Sequence, residues 1–345
     1  MKNILVTGNL GYIGSVLTDY LIIRGYNVIG YDCGFFKNCK IKKTNKIKNQ
    51  IIKDIRDISE QDLKNIDCIV HLAALSNDPL GQFDKKITYD INYYATIKLA
   101  KLAKKNNIKK FIFISTQSIY GISKKTKELR EHDFKNPITA YARSKWLAEK
   151  RLSKIFDRNF QGIILRPATV FGPSPRFRSD IILNNFVGWA YNKKIIKIFS
   201  DGSPFRPILY IKDLCNLIIE IIKKDIKRIS GEAFNVGLYK ANYSVLELAK
   251  KVKSLSKKNI KIIIKNNAGN DQRTYKVSFL KIKNFFLTKM LNHKIISEGI
   301  KELFVFYKKN KINYYKFSGP LTVRLEKLKF LKKKNIINKN LRFVK

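Results

Sequence analysis

Two side chains four residues apart make the most specific chemical suggestion in this sequence. In Tyr141-Ala142-Arg143-Ser144-Lys145 a phenol and an ammonium fall one helical turn apart on the same face. A free phenol, with a pKa of about 10, is a poor base near neutrality. An ammonium about 4 Å away is worth roughly 4 kcal/mol at an effective dielectric of about 20. That could lower the phenol by up to about three pKa units, so that it could take a proton from a sugar hydroxyl. Ser115 and Thr116 follow an apolar run that reads as a buried strand. The carboxyl edge of such strands is where open α/β sheets bind ligands, and a hydroxyl there can hold the same reacting oxygen. Asn92, in the helical stretch Ile87 to Lys105, is a polar residue on an apolar face, placed to hold a water or a backbone carbonyl near the lysine. A Tyr-x-x-x-Lys pair also occurs as a plain helix-surface pair, so the elements around it must decide.

Those elements begin with Thr7-Gly8-Asn9-Leu10-Gly11-Tyr12-Ile13-Gly14, which spaces three glycines as G-x-x-G-x-x-G. The run follows an apolar strand and opens an amphipathic helix. Glycines admit backbone conformations and approaches that a Cβ blocks, and the helix N-terminus offers free N–H groups to a pyrophosphate. Asp32 ends the second strand, where a carboxylate accepts hydrogen bonds from both ribose hydroxyls and repels a 2′-phosphate. The expected cofactor is therefore NAD rather than NADP, although Lys37, Lys40, Lys42 and Lys43 just downstream could receive a phosphate. Asp54 and Ile55 follow a third strand and read equally as an adenine contact or as a solvated acidic turn.

The apolar runs Ile4 to Thr7, Asn27 to Tyr31, Ile66 to Leu72, Lys110 to Ser115 and Gly162 to Leu165 alternate with helical stretches Tyr12 to Arg24, Ile87 to Lys105 and Tyr141 to Phe156. This predicts an α/β fold: a Rossmann-type doubly wound parallel sheet with a smaller C-terminal α+β substrate domain. The expected boundaries are a dinucleotide domain over 1–165, which also receives parts of 205–235, a substrate domain over 166–307, and a basic C-terminal extension of unknown order over 308–345. That extension carries 13 basic residues against the single Glu326.

The net charge of +44 points towards polyanions, yet only 14 of the 70 basic residues are Arg. Phosphate and base recognition would favour Arg. The excess of Lys, Asn and Ile reads as A/T-rich codon usage, and no nucleic-acid partner is expected. Cys33, Cys39, Cys68 and Cys215 form no C-x-x-C pair and His71, His132 and His293 no cluster, so neither a disulfide framework nor a metal site is expected. With no apolar run near the ~18 to 20 residues of a membrane span and no room for a signal peptide before the first strand, a soluble cytoplasmic protein is expected.

The glycine loop, His71-Leu72-Ala73-Ala74, Ser115-Thr116 with Tyr120-Gly121, Tyr141 to Lys145, Arg166-Pro167-Ala168-Thr169-Val170-Phe171-Gly172 and Phe234-Asn235-Val236-Gly237 together resemble the extended short-chain dehydrogenase/reductase family. Its members are NAD-dependent nucleotide-sugar epimerases and dehydratases, and the likeness is of the UDP-glucose 4-epimerase kind. The resemblance implies that Tyr141 removes a proton from a sugar hydroxyl, that Thr116 binds the reacting oxygen, and that Lys145 holds the nicotinamide ribose. It adds Tyr12, Ile13, Leu72, Ala73, Ala74, Asn92, Ser115 and Pro167 to the cofactor contacts, beside Gly8, Gly11, Gly14, Asp32, Asp54 and Ile55. It places the nucleotide-diphosphate sugar against Thr116, Thr169, Asn185, Arg206 and Arg273, Thr169 standing where the family usually has Asn. A homodimer through Ile87 to Lys105 and Tyr141 to Phe156 is compatible with it. The 4,6-dehydratases of the family carry Asp-Glu after the Thr, whereas Gln117 and Ser118 stand here, which argues against elimination of water. The resulting expectation is an NAD-dependent nucleotide-sugar epimerase acting at C4 through a transient 4-keto sugar. Its alternatives are a nucleotide-sugar dehydrogenase or reductase of the same family, and a polyanion-binding protein on a dinucleotide fold.

Overall fold

The computed structural model describes residues 2–45, 47–123, 127–239, 241–256, 258–265, 273–286 and 294–344. His293, Asp271 and Gln272 lie outside the described residues. Among the described residues the strands are, in chain order, β1 (Asn3–Thr7), β2 (Asn27–Asp32), β3 (Asn49–Ile52), β4 (Cys68–His71), β5 (Lys110–Ile114), β6 (Gln161–Pro167), β7 (Thr169–Phe171), β8 (Ile195–Ile198), β9 (Phe205–Tyr210), β10 (Ala233–Val236), β11 (Asn242–Ser244) and β12 (Lys261–Ile264). Seven of them form one sheet in the order β10-β6-β5-β4-β1-β2-β3. Every pairing in it is parallel. The order reverses between β1 and β4, and that switch point opens a crevice at the carboxyl edge.

The strands alternate between two apolar layers. Ile4, Val6, Val28, Val70, Ile112 and Ile114 face one cluster, and Leu5, Ile29, Ile69, Phe111 and Phe113 face the other. Burial on both faces is why these segments read as continuous apolar runs. At its end, β6 passes through Ala168 directly into β7, which pairs with β9 in a second sheet of order β11-β9-β7. β8 and β12 make a separate parallel pair. The late strand β10 returns to the main sheet beside β6. The main sheet and the second sheet are thus joined by continuous backbone beneath the crevice.

One helix departs from the expected form. Ile87 to Lys105 is not a single α-helix: Lys85–Tyr89 and Ala95–Lys105 flank a π turn at Asp90–Tyr94. The wider turn aims Asn92 inwards, where it accepts from Leu75 N at 2.9 Å and donates to Leu75 O at 3.2 Å. Single π turns inside α-helices are rare and frequent at functional sites.

The C-terminal residues are folded and packed. Ile312 and Phe317 join the first apolar cluster. Leu328, Leu331, Ile337 and Leu341 join the second. Among the described residues no helix is long and apolar enough to cross a membrane.

Candidate active site

The crevice above the carboxyl edge is a cleft of about 1220 Å³. That exceeds the roughly 1,000 Å³ upper range of pockets for one small ligand and leaves room for two ligands side by side. All the residues singled out from the sequence as site residues line it, except Asn92.

At one end the backbone makes the site. Gly8 has φ +74° and its N–H donates to Tyr31 O at 2.8 Å, closing the turn after β1. A Cβ on Gly14 would lie 2.2 Å from Gly8 O, and one on Gly8 would lie 2.8 Å from Ala73 N. The turn therefore needs hydrogen at both positions. It leaves the N-terminus of helix Tyr12–Ile23 open to the cleft, with Gly11 as its cap and no side chain closing it. The Asp32 carboxylate accepts from Gly34 N at 2.7 Å and Leu10 N at 3.1 Å, which fixes it at the end of β2. Burial raises its pKa, while those two N–H groups and the cations Arg176 and Arg324 oppose the rise. Open N–H groups, a space that any Cβ would fill and a carboxylate at the strand end match the donor and acceptor set of a dinucleotide. Of the lysines considered as a phosphate site, none of Lys37, Lys40, Lys42 and Lys43 lines the cleft.

Asp54 lines the cleft, but its carboxylate is committed to Arg56, at 2.7 Å, and to Arg342, at 3.6 Å. It also caps the turn Ile55–Asp57. These partners hold its pKa below the usual carboxylate value against the opposing effect of burial. The backbone here and Ile55, not the acid, remain to face a ligand. His71 lies fully buried below the loop Leu72 to Ala74, with ring nitrogens 2.7 Å from Thr7 Oγ1 and 2.8 Å from Thr96 Oγ1.

At the centre the Tyr141 phenol and the Thr116 hydroxyl line the cleft together, near enough for Thr116 to influence the ionisation of the phenol. Thr139 caps the helix Ala140–Ile155 that carries Tyr141, accepting from Ala142 N at 3.1 Å. Gly81 lets helix Asp78–Phe83 press against this turn: a Cβ there would sit 2.8 Å from the Tyr141 Cβ. The electrostatics differ from the sequence expectation. Burial pushes the phenol up to about 12, and Thr116 is the largest influence pulling it down. Lys145 is not among the leading influences on the phenol: its Nζ donates to Ile114 O at 2.8 Å and lies 4.6 Å from the Phe113 ring centroid. Burial in turn pushes Lys145 down to about 7. One helical turn of spacing brings the two side chains into one cleft, but the β5 carbonyl captures the cation.

Ser115 lines the cleft while its hydroxyl donates to Glu149. Glu149 is buried and paired with Arg166, Nη2 to Oε2 at 2.7 Å. Arg166 Nη1 reaches the Tyr120 hydroxyl at 3.1 Å. This network forms the floor under Thr116. Asn92 is the correction among the expected cofactor contacts. It lies behind the cleft wall, bonded to Leu75 and to Ser144 Oγ at 3.2 Å, so it fixes the wall and touches nothing within the cleft.

At the far end Thr169, Asn185, Arg206 and Arg273 converge from separate elements. Asn185 donates to Ser179 O at 3.0 Å. Arg206 is buried, and its guanidinium bonds the carbonyls of Phe205 and Arg273. Arg273 reaches the Asp78 carboxylate and, at 3.2 Å, Ser118 Oγ. Gln117 points away, donating to Arg166 O at 3.1 Å. Arg178 lines the cleft in a two-point pair with Asp180, both contacts at 2.9 Å. Sequence reasoning missed Asp78, Asp180 and Arg324 as cleft residues. Only Asp78 had a local signal, Asn77-Asp78-Pro79 opening a helix. Among the described residues no group of three or more His, Cys, Asp or Glu stands together as a metal site.

Comparison with known proteins places this geometry among relatives. The model of the family described as "NAD dependent epimerase/dehydratase family" matches residues 4–237. UDP-glucuronic acid decarboxylase 4 of Arabidopsis thaliana is 29% identical over 290 residues, covering 81% of this chain and 63% of that protein. The chain thus spans under two thirds of that relative's length. The human dTDP-D-glucose 4,6-dehydratase is 28% identical over 333 residues, covering 91% of this chain and 92% of that one. A solved UDP-glucuronic acid 4-epimerase from Bacillus cereus, in complex with UDP-glucuronic acid and NAD, superposes with TM-score 0.76 at 26% identity, covering 89% of this chain and 99% of its own.

Proposed function

The chain belongs to the NAD dependent epimerase/dehydratase family, and from that premise we propose that it is an NAD-dependent epimerase inverting C4 of a nucleotide-diphosphate sugar. One observation carries the choice within the family: the Thr116–Tyr141 pair at the carboxyl edge of β5 is followed by neutral Gln117 and Ser118. An elimination needs an acid and a base beside the reacting carbons to move protons, the part that an Asp-Glu pair after the Thr would serve. Gln117 is bonded into the sheet, and the nearby Asp78 is held by Arg273 and Thr139. The neutral pair disfavours elimination of water and supports a reading in which the sugar is oxidised and reduced again at one carbon.

In this reading the glycine turn and helix Tyr12–Ile23 receive the pyrophosphate, and Asp32 accepts the adenosine ribose hydroxyls. Lys145 holds the nicotinamide ribose, exchanging the Ile114 carbonyl for it. Bound there, NAD supplies reversible hydride acceptance at the sugar carbon and ends as it began. Thr116 donates to the sugar 4-oxygen and Tyr141 takes its proton. Burial raises the Tyr141 pKa, and the positive nicotinamide ring of bound NAD would oppose that rise. Arg206 and Arg273 face the diphosphate, with Asn185 and Thr169 beside it.

The experiment is incubation of the purified protein, without added cofactor, with UDP-glucose and UDP-glucuronic acid, read by NMR and mass spectrometry. The expected product is the C4 epimer at unchanged mass. Loss of water or of carbon dioxide, or stoichiometric accumulation of reduced cofactor, contradicts the reading.

A further inference from the structure

Arg324 belongs to the C-terminal segment, outside the region 4–237 matched by the family model. It is 2% exposed, yet with Val323 and Leu325 it forms part of the cleft wall. Its hydrogen-bond partners are backbone carbonyls. Nη2 donates to Arg176 O at 2.6 Å and Nη1 to Leu321 O at 3.5 Å. The guanidinium lies 4.8 Å from the Phe36 ring centroid. No carboxylate among the described residues pairs with it. A buried cation is costly unless an electron-rich group compensates it, and a guanidinium has five donors to place. The position says which group that is. Phe36, whose ring the guanidinium faces, lies just past β2, and the Arg324 charge acts on the carboxylates of both Asp32 and Asp180. This is the adenosine end of the cleft.

The segment around Arg324 is fastened on both sides of that end. On the substrate side Ser179 donates to Phe317 O at 2.6 Å and meets Thr322 Oγ1 at 2.8 Å. On the dinucleotide side Arg56 donates to Asn340 O at 3.0 Å, and Arg342 pairs with Asp57. Between these fastenings helix Arg324–Lys333 buries Leu328 and Leu331 in the layer under the sheet. The chain therefore spans the cleft from one half of the molecule to the other.

Building on the proposed cofactor site, we propose that residues 314–344 are a clasp over the adenosine half of NAD, with Arg324 as its contact to the adenine ring or its ribose-phosphate oxygens. A clasp fastened at two ends retains the cofactor through turnover, which suits a reaction that returns the hydride to its donor.

The test uses the full chain with Arg324→Met, which keeps an apolar stem, and Arg324→Lys. The measurements are release of bound NAD and calorimetric affinity for ADP-ribose and for UDP. A cation–π or charge-assisted contact of this kind corresponds to about tenfold. Expected for Arg324→Met is NAD release about tenfold faster and ADP-ribose binding about tenfold weaker, with UDP binding and circular dichroism unchanged and partial recovery in Arg324→Lys. Should Arg324→Met fail to fold, Arg342→Ala loosens the outer fastening at a more accessible site and is expected to speed release about threefold. Folded variants that hold NAD and ADP-ribose as the unaltered chain does overturn the clasp. Failure of the unaltered chain to bind ADP-ribose overturns the cofactor site and the clasp with it. Absence of epimerase activity with release still dependent on Arg324 overturns only the assigned reaction.

Discussion

The two ends of the cleft are built on different principles. The cofactor end is a backbone site: a strand, a turn held by Gly8 and Gly14, and an open helix N-terminus, all within residues 3–23, with Asp32 fixed by two N–H groups. The substrate end is a side-chain site. Thr169, Asn185, Arg206 and Arg273 arrive from four separate stretches, and the polar atoms of the last three are engaged with Ser179, Phe205, Asp78 and Ser118. A backbone site stands preformed because the main chain cannot rotate out of it. A side-chain site must exchange internal partners for its ligand, and that exchange is where selectivity between sugars enters.

Four substitutions or conditions break or sharpen this contrast. The largest effect is expected where both ends share a support. Glu149→Ala leaves Arg166 buried without its counter-charge and should cost about 3–5 kcal/mol of stability, measured by chemical denaturation. A change under 1 kcal/mol would show that the floor is not shared.

Gly14→Val should separate the ends. The new Cβ meets Gly8 O at 2.2 Å. Bound NAD should fall by about a hundredfold in affinity, roughly 2.7 kcal/mol, while UDP binding by calorimetry changes little. Equal loss of both would mean the ends are not independent.

Arg206→Ala is the reciprocal change. The expected outcome is a KM for the nucleotide sugar raised about tenfold to thirtyfold, for the loss of one charge-assisted contact. NAD content per chain should remain as in the unaltered protein, and depleted NAD would contradict the assignment.

The smallest effect concerns pH at the cofactor end. Burial holds His71 neutral well below its ordinary 6.5. Below pH 6.5 the unfolded chain binds a proton that the folded chain refuses, so stability falls as pH falls, by about 1.4 kcal/mol per unit. In His71→Gln that part of the slope between pH 6.5 and pH 5 should vanish in a series of denaturation curves. An unchanged slope would place the acid sensitivity elsewhere.

The same contrast explains what was legible in the sequence. The parallel sheet could be read because its strands are buried on both faces, and Gly8 to Gly14 because a dinucleotide turn is local in sequence. The Tyr141 and Lys145 spacing was legible, but their electrostatics were not. The lysine's partner, the Ile114 carbonyl, lies 31 residues away. Asn92 was rightly singled out as a polar residue facing inwards, yet the π turn that aims it at Leu75 leaves no periodic signature. Arg324 was invisible for a physical reason: in a Lys-rich C-terminal run nothing distinguishes one cation until the chain folds back over the cleft.

The central claim is that the Tyr141 phenol takes the proton when the sugar is oxidised. It is tested most directly by single-turnover reduction of bound NAD by nucleotide sugar in Tyr141→Phe, followed by the absorbance of the reduced nicotinamide. The account predicts a rate roughly a thousandfold lower, with NAD content and UDP affinity unchanged. A rate equal to that of the unaltered protein would contradict it.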